Sequence, residues 1–339
     1  YLCKITINRM EKRENWVDQA RGFAMFLVVY GHNFPVAEKY IYSFHMPLFL
    51  IISGFFFPEK PAYTFLQKKF RTIIVPYFFW AIFLFVFWVI LGKNFGDSAT
   101  KNLSITKNFI GIFFSQGGQE YMDWGIPMWF LPNLFLAFLF LFFCKLYFRK
   151  KWFFAVLVLT FLGILYHKLS DIPLFWSINI ALVSLFFVAI GKQIYITINK
   201  TSKKKRIFWM IIFFIINVLL LQYKANVKVD MYRSIYGNEI LFFANGFFGS
   251  LAFLLLFKNF PYFRFLEIIG KFTLVILALQ ILAMSLIKLF LWKILHISNF
   301  QFSEFQKLYF SIIQIIILLP IGFIINQYIP LLNRGSKKI

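Results

Sequence analysis

Apolar runs about twenty residues long, separated by short clusters of lysine and arginine, recur along all 339 residues of this chain. A helix needs a run of about that length to cross the hydrocarbon of a bilayer. Composition agrees. Hydrophobic residues make up 60%, aromatic residues 22% and charged residues 14%, whereas a soluble domain is usually about 25% charged. A soluble core of this size cannot hide 51 phenylalanines, but they can face lipid. The expected architecture is all-α: a polytopic integral membrane helix bundle of about ten transmembrane helices, forming a single membrane-embedded domain over residues 1–339.

The ten segments are 17–34, 43–57, 73–92, 127–147, 152–167, 174–198, 207–223, 240–257, 272–296 and 309–332. The second and fifth are short, and the second either begins earlier, is broken or is shielded by protein. Charge sorting supports the number. With the N-terminus in the cytoplasm, 23 Lys and Arg fall in the cytoplasmic connections and 11 in the outer ones. That is the positive-inside bias of a multi-pass protein with both termini cytoplasmic. One miscounted helix would scramble the later loops. The formal charge of +23 and the run Lys203-Lys204-Lys205-Arg206 are topology signals, and nucleic-acid binding is set aside. Cys3 and Cys144 both fall on the cytoplasmic side, so no structural disulfide is expected. No pair has metal-ligand spacing. The first apolar stretch carries Asp18 and Arg21 and reads as a retained helix rather than a cleaved signal.

Ionisable groups inside apolar segments are costly, which makes them functional candidates. Asp18, Arg21, His32 and His45 stand in the first two segments. Arg21 and His32 are eleven residues apart, about 16 Å of helical rise and close to three whole turns, so they face the same way at different depths. Asp18 can pair with Arg21 three residues on. A neutral imidazole can serve as general base toward a hydroxyl, and a second polar group can orient it or stabilise an oxyanion. Arg21 could anchor an anionic or thioester-bearing cofactor. The plainer alternative is interfacial histidines wet by headgroups, which also suits His167 and His296 at outer helix ends. Lys68, Lys69 and Arg71 are either a positive-inside anchor or a site for cofactor phosphates.

The outer connections 93–126 and 224–239 mix acidic, amide and aromatic residues, Asp123 and Asn238 among them. Such a mix suits carbohydrate, as it suits ordinary wet loops. Trp129 opens the fourth segment at the outer face, where a tryptophan is usually a membrane anchor. No nucleophile elbow, phosphate loop or dinucleotide fingerprint occurs.

Several motifs then line up. Arg13, Asp18, Arg21-Gly22 and Gly31-His32 are followed by Phe44-His45-Met46-Pro47-Leu48-Phe49 and Ser53-Gly54. Lys68, Arg71, Pro76-Tyr77, Trp129-Phe130-Leu131 and Gly270-Lys271-Phe272-Thr273 come after. In these pieces the chain resembles the membrane acyltransferase 3 family, particularly its fucose-4-O-acetylase-like branch. The resemblance implies a ten-helix membrane fold. It also implies transfer of an acyl group, usually acetyl from cytoplasmic acetyl-CoA, to a hydroxyl of an extracytoplasmic glycan or lipid-linked sugar. Arg21 and His32 match the family's active-site signature, and His45 its second histidine. Gln280 departs from the pattern, which places a histidine there.

The expected roles follow. His32 is the base, with His45 and Asp18 assisting. Arg13, Arg21, Lys68, Lys69 and Arg71 hold the donor. Trp129, Asp123, Asn238 and Gln280 meet the acceptor, and no metal takes part. Direct transfer and a covalent acyl-histidine stay open, as does a homo-oligomer. The competing readings are a different donor such as succinyl-CoA, a glycan or lipid-linked-sugar transporter without chemistry, and an inactive relative.

Overall fold

The computed structural model describes residues 14–94, 96–223, 227–297 and 300–333. Arg13 and Cys3 therefore lie outside the described residues. The described chain is helical, with no strand beyond an isolated bridge between Asp230 and Ile235. In order the helices are α1 (Asn15–Gly31), α2 (Glu38–Gly54), α3 (Tyr63–Lys69), α4 (Val75–Ile90), α5 (Gly96–Thr100), α6 (Ile105–Phe114), α7 (Gln119–Met122) and α8 (Phe130–Phe148). They continue with α9 (Trp152–Leu169), α10 (Ile178–Lys200), α11 (Lys203–Leu221), α12 (Glu239–Asn259), α13 (Arg264–Lys271), α14 (Thr273–Lys293) and α15 (Glu304–Tyr328). A π-turn, Phe70–Ile74, joins α3 to α4.

Every one of the ten expected segments coincides with a helix. Six stretches among the described residues are long and apolar enough to cross a membrane. They account for seven of the ten segments, because the stretch Ile126–Leu169 contains both α8 and α9, which meet at the turn Arg149–Lys151. The other three segments are α1 and α2, each 17 residues long, and α11, which opens on four basic residues.

Two kinds of helix are visible. α2, α8 and α10 are buried over most of their length. α11 buries Asn217 alone, and α9 only Ala155, Val156, Thr160 and Gly163. The outer faces of α4, α9, α11 and α15 carry exposed large apolar side chains such as Phe83, Phe161, Phe214 and Ile324. In water such a surface would be a severe liability; against lipid tails it carries no penalty. An apolar exterior around an apolar core with a minority of buried polar groups follows from the solvent that the phenylalanine content anticipates.

Two expectations change. The connection 93–126 is not an open loop: it folds into α5, α6 and α7. Asn108 on α6 organises it. Its carboxamide donates to the Glu120 carbonyl (3.0 Å) and accepts from the Asp123 amide (2.9 Å), while its own carbonyl accepts from the Trp124 indole (3.0 Å). The second apolar segment begins at Glu38 rather than 43, so His45 lies two turns inside α2 instead of at its mouth.

Candidate functional site

α1 places Arg21, Met25, Val28 and His32 at spacings of four, three and four, which is one stripe of a helix face. The stripe is polar at both ends and apolar between. Its lower end is braced by α13. A Cβ on Gly22 would come within 1.9 Å of the Leu266 carbonyl oxygen, and one on Gly270 within 1.9 Å of the Asp18 carbonyl oxygen. Only glycine permits backbones this close. The Arg-Gly and Gly-Lys motifs are therefore two sides of one helix contact.

At that end Asp18, 2% exposed, accepts a hydrogen bond from Arg21 at 2.9 Å, as their spacing predicts. Gln19 accepts from the Phe263 amide at 2.6 Å, and Lys271 pairs with Glu267 at 2.8 Å. The surroundings of Arg21 are thus fixed by α13 and the turn before it.

At the other end of the stripe lies a cavity of about 400 Å³. Met25, Val28 and His32 line it from α1, and Tyr42, His45, Met46 and Phe49 from α2. Trp129 lines it from the turn before α8, Thr273, Leu274, Leu277 and Ile281 from α14, and Asp123 from the segment after α7. Lys228, Asp230, Tyr232 and Arg233 close it from the connection between α11 and α12.

His32 caps α1, its backbone amide bonded to the Val28 carbonyl at 3.2 Å. His45 is 6% exposed, and its Nδ1 lies 2.8 Å from the Ile41 carbonyl oxygen. A carbonyl only accepts, so Nδ1 carries the proton and donates it. In the neutral ring Nε2 is then an acceptor. The two imidazoles are within electrostatic reach of each other, and Lys228 is within reach of His32. Lys228 also pairs with Glu38 at 2.6 Å and stands 4.9 Å above the Tyr42 ring.

The upper wall is tied together across distant parts of the chain. The Asp123 carboxylate accepts from the Trp88 indole at 2.7 Å and from the Ser98 hydroxyl. The Gly118 amide donates to the Tyr232 hydroxyl at 2.7 Å, and Gln116 donates to the Tyr232 carbonyl at 3.3 Å. Burial pushes the Tyr232 phenol up to about 12, so it stays neutral. The Trp129 and Tyr232 rings lie 5.7 Å apart. Trp129 is 6% exposed and belongs to the cavity wall, not to a lipid-facing belt.

Of the expected residues, His32, His45, Asp123 and Trp129 thus meet in one cavity. Asp18 and Arg21 do not line it: Met25, 2% exposed, ends it one turn above Arg21. Lys68 and Arg71 are exposed and Lys69 half-buried, away from the cavity, with the Lys69 ammonium 4.2 Å above the Phe138 ring. Asn238 is exposed and caps α12, accepting from the Leu241 amide at 3.0 Å. Gln280 is 1% exposed behind the wall. Its carboxamide makes no hydrogen bond among the described residues, while its carbonyl accepts from Gln314 at 3.2 Å. Gln314 also accepts from Asn33, the neighbour of His32, at 2.8 Å. Spacing in the sequence does not single out Lys228, Tyr232, Asn33 or Thr273 as site residues, although the connection holding the first two carries a mix of residues that suits a sugar.

A family model described as an acyltransferase domain matches residues 14–329. No curated protein and no solved structure matches the chain. The matched residues run from the start of the described chain, through both histidines, to the end of α15, and a multi-pass membrane protein so covered belongs to the acyltransferase 3 family.

Proposed function

We propose that this protein is a membrane O-acetyltransferase that moves acetyl from cytoplasmic acetyl-CoA to a hydroxyl of a cell-envelope glycan or lipid-linked sugar. It crosses a bacterial-type inner membrane ten times with both termini inside. Arg21 then lies toward the cytoplasm and the histidines toward the outer face. The observation that carries the reading is the stripe Arg21, Met25, Val28, His32, whose upper three members line the cavity that also holds His45, Asp123 and Trp129.

The chemistry follows from the residues. The acceptor sugar sits against Trp129 and Tyr232, with Asp123 within reach of its hydroxyls. His32 takes the proton of the attacking hydroxyl. The Nε2 of His45, held as an acceptor by the Ile41 bond, orients His32 or the hydroxyl itself. The hydroxyl oxygen bonds to the thioester carbon, the C–S bond breaks, and the departing thiolate takes the proton back from His32. Arg21 is the cation assigned to the donor's phosphates, with Arg13, Lys68, Lys69 and Arg71 as the further basic residues that attract them; Asp18 holds the Arg21 guanidinium in place. A transporter would need a continuous polar path, whereas the α1 lining between His32 and Arg21 is Val28 and Met25, both apolar.

The test is CoA release and acetylated product from the purified full chain. His32→Ala should lower the rate at least about 10²-fold. Wild-type rate in that variant would overturn the assignment. Succinylated rather than acetylated product would keep the fold and change the donor.

A further inference from the structure

Thr273, one of the residues lining the cavity, carries a buried hydroxyl that no described residue engages. Thr273 opens α14, directly after Phe272, whose backbone angles (φ −107, ψ 18) break the chain between α13 and α14. The threonine is 1% exposed, lines the cavity, and its Oγ1 has no hydrogen-bond partner among the described residues. A threonine in a helix usually returns its hydroxyl to a carbonyl three or four residues back, and this one does not. Leaving a buried hydroxyl unsatisfied costs about 1–3 kcal/mol, so such a group calls for a ligand. It also sits in the first turn of a 21-residue helix. The first-turn amides of a helix lack intrahelical carbonyl partners, and the helix dipole puts partial positive charge there. Both features favour an incoming carbonyl oxygen.

The position narrows the ligand. Gly270 touches the Asp18 backbone. Thr273, three residues on, follows that contact directly, and Met25 is the residue nearest Arg21 along α1 that lines the same cavity. Besides Thr273, α14 gives the lining Leu274, Leu277 and Ile281, and α1 gives it Met25 and Val28 before His32, all five apolar. A sugar, with a hydroxyl on nearly every carbon, suits these walls poorly. An extended, mostly apolar arm carrying an occasional amide suits them well.

We infer that Thr273 is the anchor for an amide carbonyl in the arm of the thioester donor, fixing how far that arm rises toward His32. This rests on the acyl-CoA reading given above, and it adds a donor-positioning contact distinct from the cations that face the phosphates. Thr273 acts by hydrogen bonding and takes no proton from the reacting atoms.

The experiment uses the full chain in detergent, with CoA binding measured by calorimetry and steady-state transfer measured from two donors. One donor is acetyl-CoA; the other is the acetyl thioester of ethanethiol, which has no amide. Thr273→Val should weaken CoA binding and raise the acetyl-CoA KM about threefold to tenfold, the range of one lost hydrogen bond. The acceptor KM should stay put. Thr273→Ser, which keeps the hydroxyl, should stay within about twofold of wild type. With the amide-free thioester all three proteins should coincide. Thr273→Ala serves the same comparison where valine crowds the cavity and lowers the unfolding midpoint.

The inference is overturned if Thr273→Val and Thr273→Ala bind CoA like wild type, or if Thr273→Ser loses as much as they do. An equal loss with the amide-free donor, the outcome expected if the hydroxyl merely holds water, also overturns it. If wild type neither binds CoA nor releases it from acetyl-CoA, the donor reading itself fails, a result separate from any difference among the Thr273 variants.

Discussion

The two ends of α1 are built differently. Around His32 the walls come from α1, α2, α14 and two connections more than a hundred residues apart in sequence, laced together through Tyr232, Gly118 and Gln116. The His45 ring is fixed by its bond to Ile41 before any ligand arrives. Around Arg21 the backbone is just as firmly set by α13, yet the basic residues expected to share its task, Lys68 and Arg71, stand exposed and apart from the cavity. The histidine end is preassembled, and the arginine end, the proposed donor side, has its charges set apart. Preassembly is what acid–base chemistry requires, since misplacing a reacting group by about 1 Å can cost 10²-fold. Attracting a flexible polyanion requires only charge in the right neighbourhood.

If that contrast is right, damage should be graded along α1. The largest effect belongs to His45. His45→Ala removes a ring whose tautomer is fixed and should lower kcat by about 10²- to 10⁴-fold, leaving the donor KM near wild type. Single-turnover transfer by the purified variant reads this directly. A loss below about threefold would make His45 a wall residue and break the idea of a preassembled end.

Next comes the brace. A side chain at Gly270 would drive a carbon into the Asp18 carbonyl, and no rotamer of a neighbour can relieve a clash with backbone. Gly270→Val should cost about 1–3 kcal/mol, the usual range for overpacking, seen as a lower unfolding midpoint in detergent. It should also impair donor use more than acceptor use, because it displaces both Arg21 and Thr273. Equal impairment of the two KM values would mean that α13 supports the whole bundle rather than the donor end.

A smaller effect is expected at the mouth. Lys228 is shared between Glu38 at 2.6 Å and the face of Tyr42, with both partners of the ion pair partly exposed. Such pairs contribute on the order of 0.2–1 kcal/mol. Glu38→Gln should therefore change the acceptor KM no more than about fivefold while leaving the donor KM alone. A change in the donor KM instead would place the donor at the wrong end of the cavity.

These gradations also show why parts of the molecule were legible in the sequence and others were not. Segments such as 127–147 and 240–257 are set by the length of hydrocarbon, a one-dimensional constraint, and they appear as α8 and α12 within a few residues. Asp18 with Arg21, and Arg21 with His32, are relations within one helix, so periodicity alone gives them. Asn108, Tyr232 and Thr273 matter through partners or a cavity made by other elements, and no spacing rule encodes which of many apolar faces will meet. Asn238 and Trp129 illustrate the same limit in opposite directions: a polar residue expected to bind sugar is a helix cap, while a tryptophan that usually marks the membrane surface lines the cavity. Gln280 stands between these cases. Its place in a motif was visible, but its burial behind the wall, joined through Gln314 to Asn33, depends on how α14 and α15 pack.

The mildest substitution gives the sharpest test of the donor end. Lys68 and Arg71 are exposed, so water and salt screen whatever they attract. Replacing both with alanine should raise the acetyl-CoA KM only about twofold to fivefold at low ionic strength, and the difference from wild type should fade as salt approaches 1 M, where the Debye length is about 3 Å. Arg21 behaves otherwise. It is mostly buried and held by Asp18 at 2.9 Å, so the effect of Arg21→Gln should persist at the same salt. The two salt profiles separate a surface that gathers the donor from a residue that fixes it. Parallel profiles would mean that Arg21 too acts only at a distance, and that the contacts fixing the donor begin at Thr273 of α14 rather than on α1.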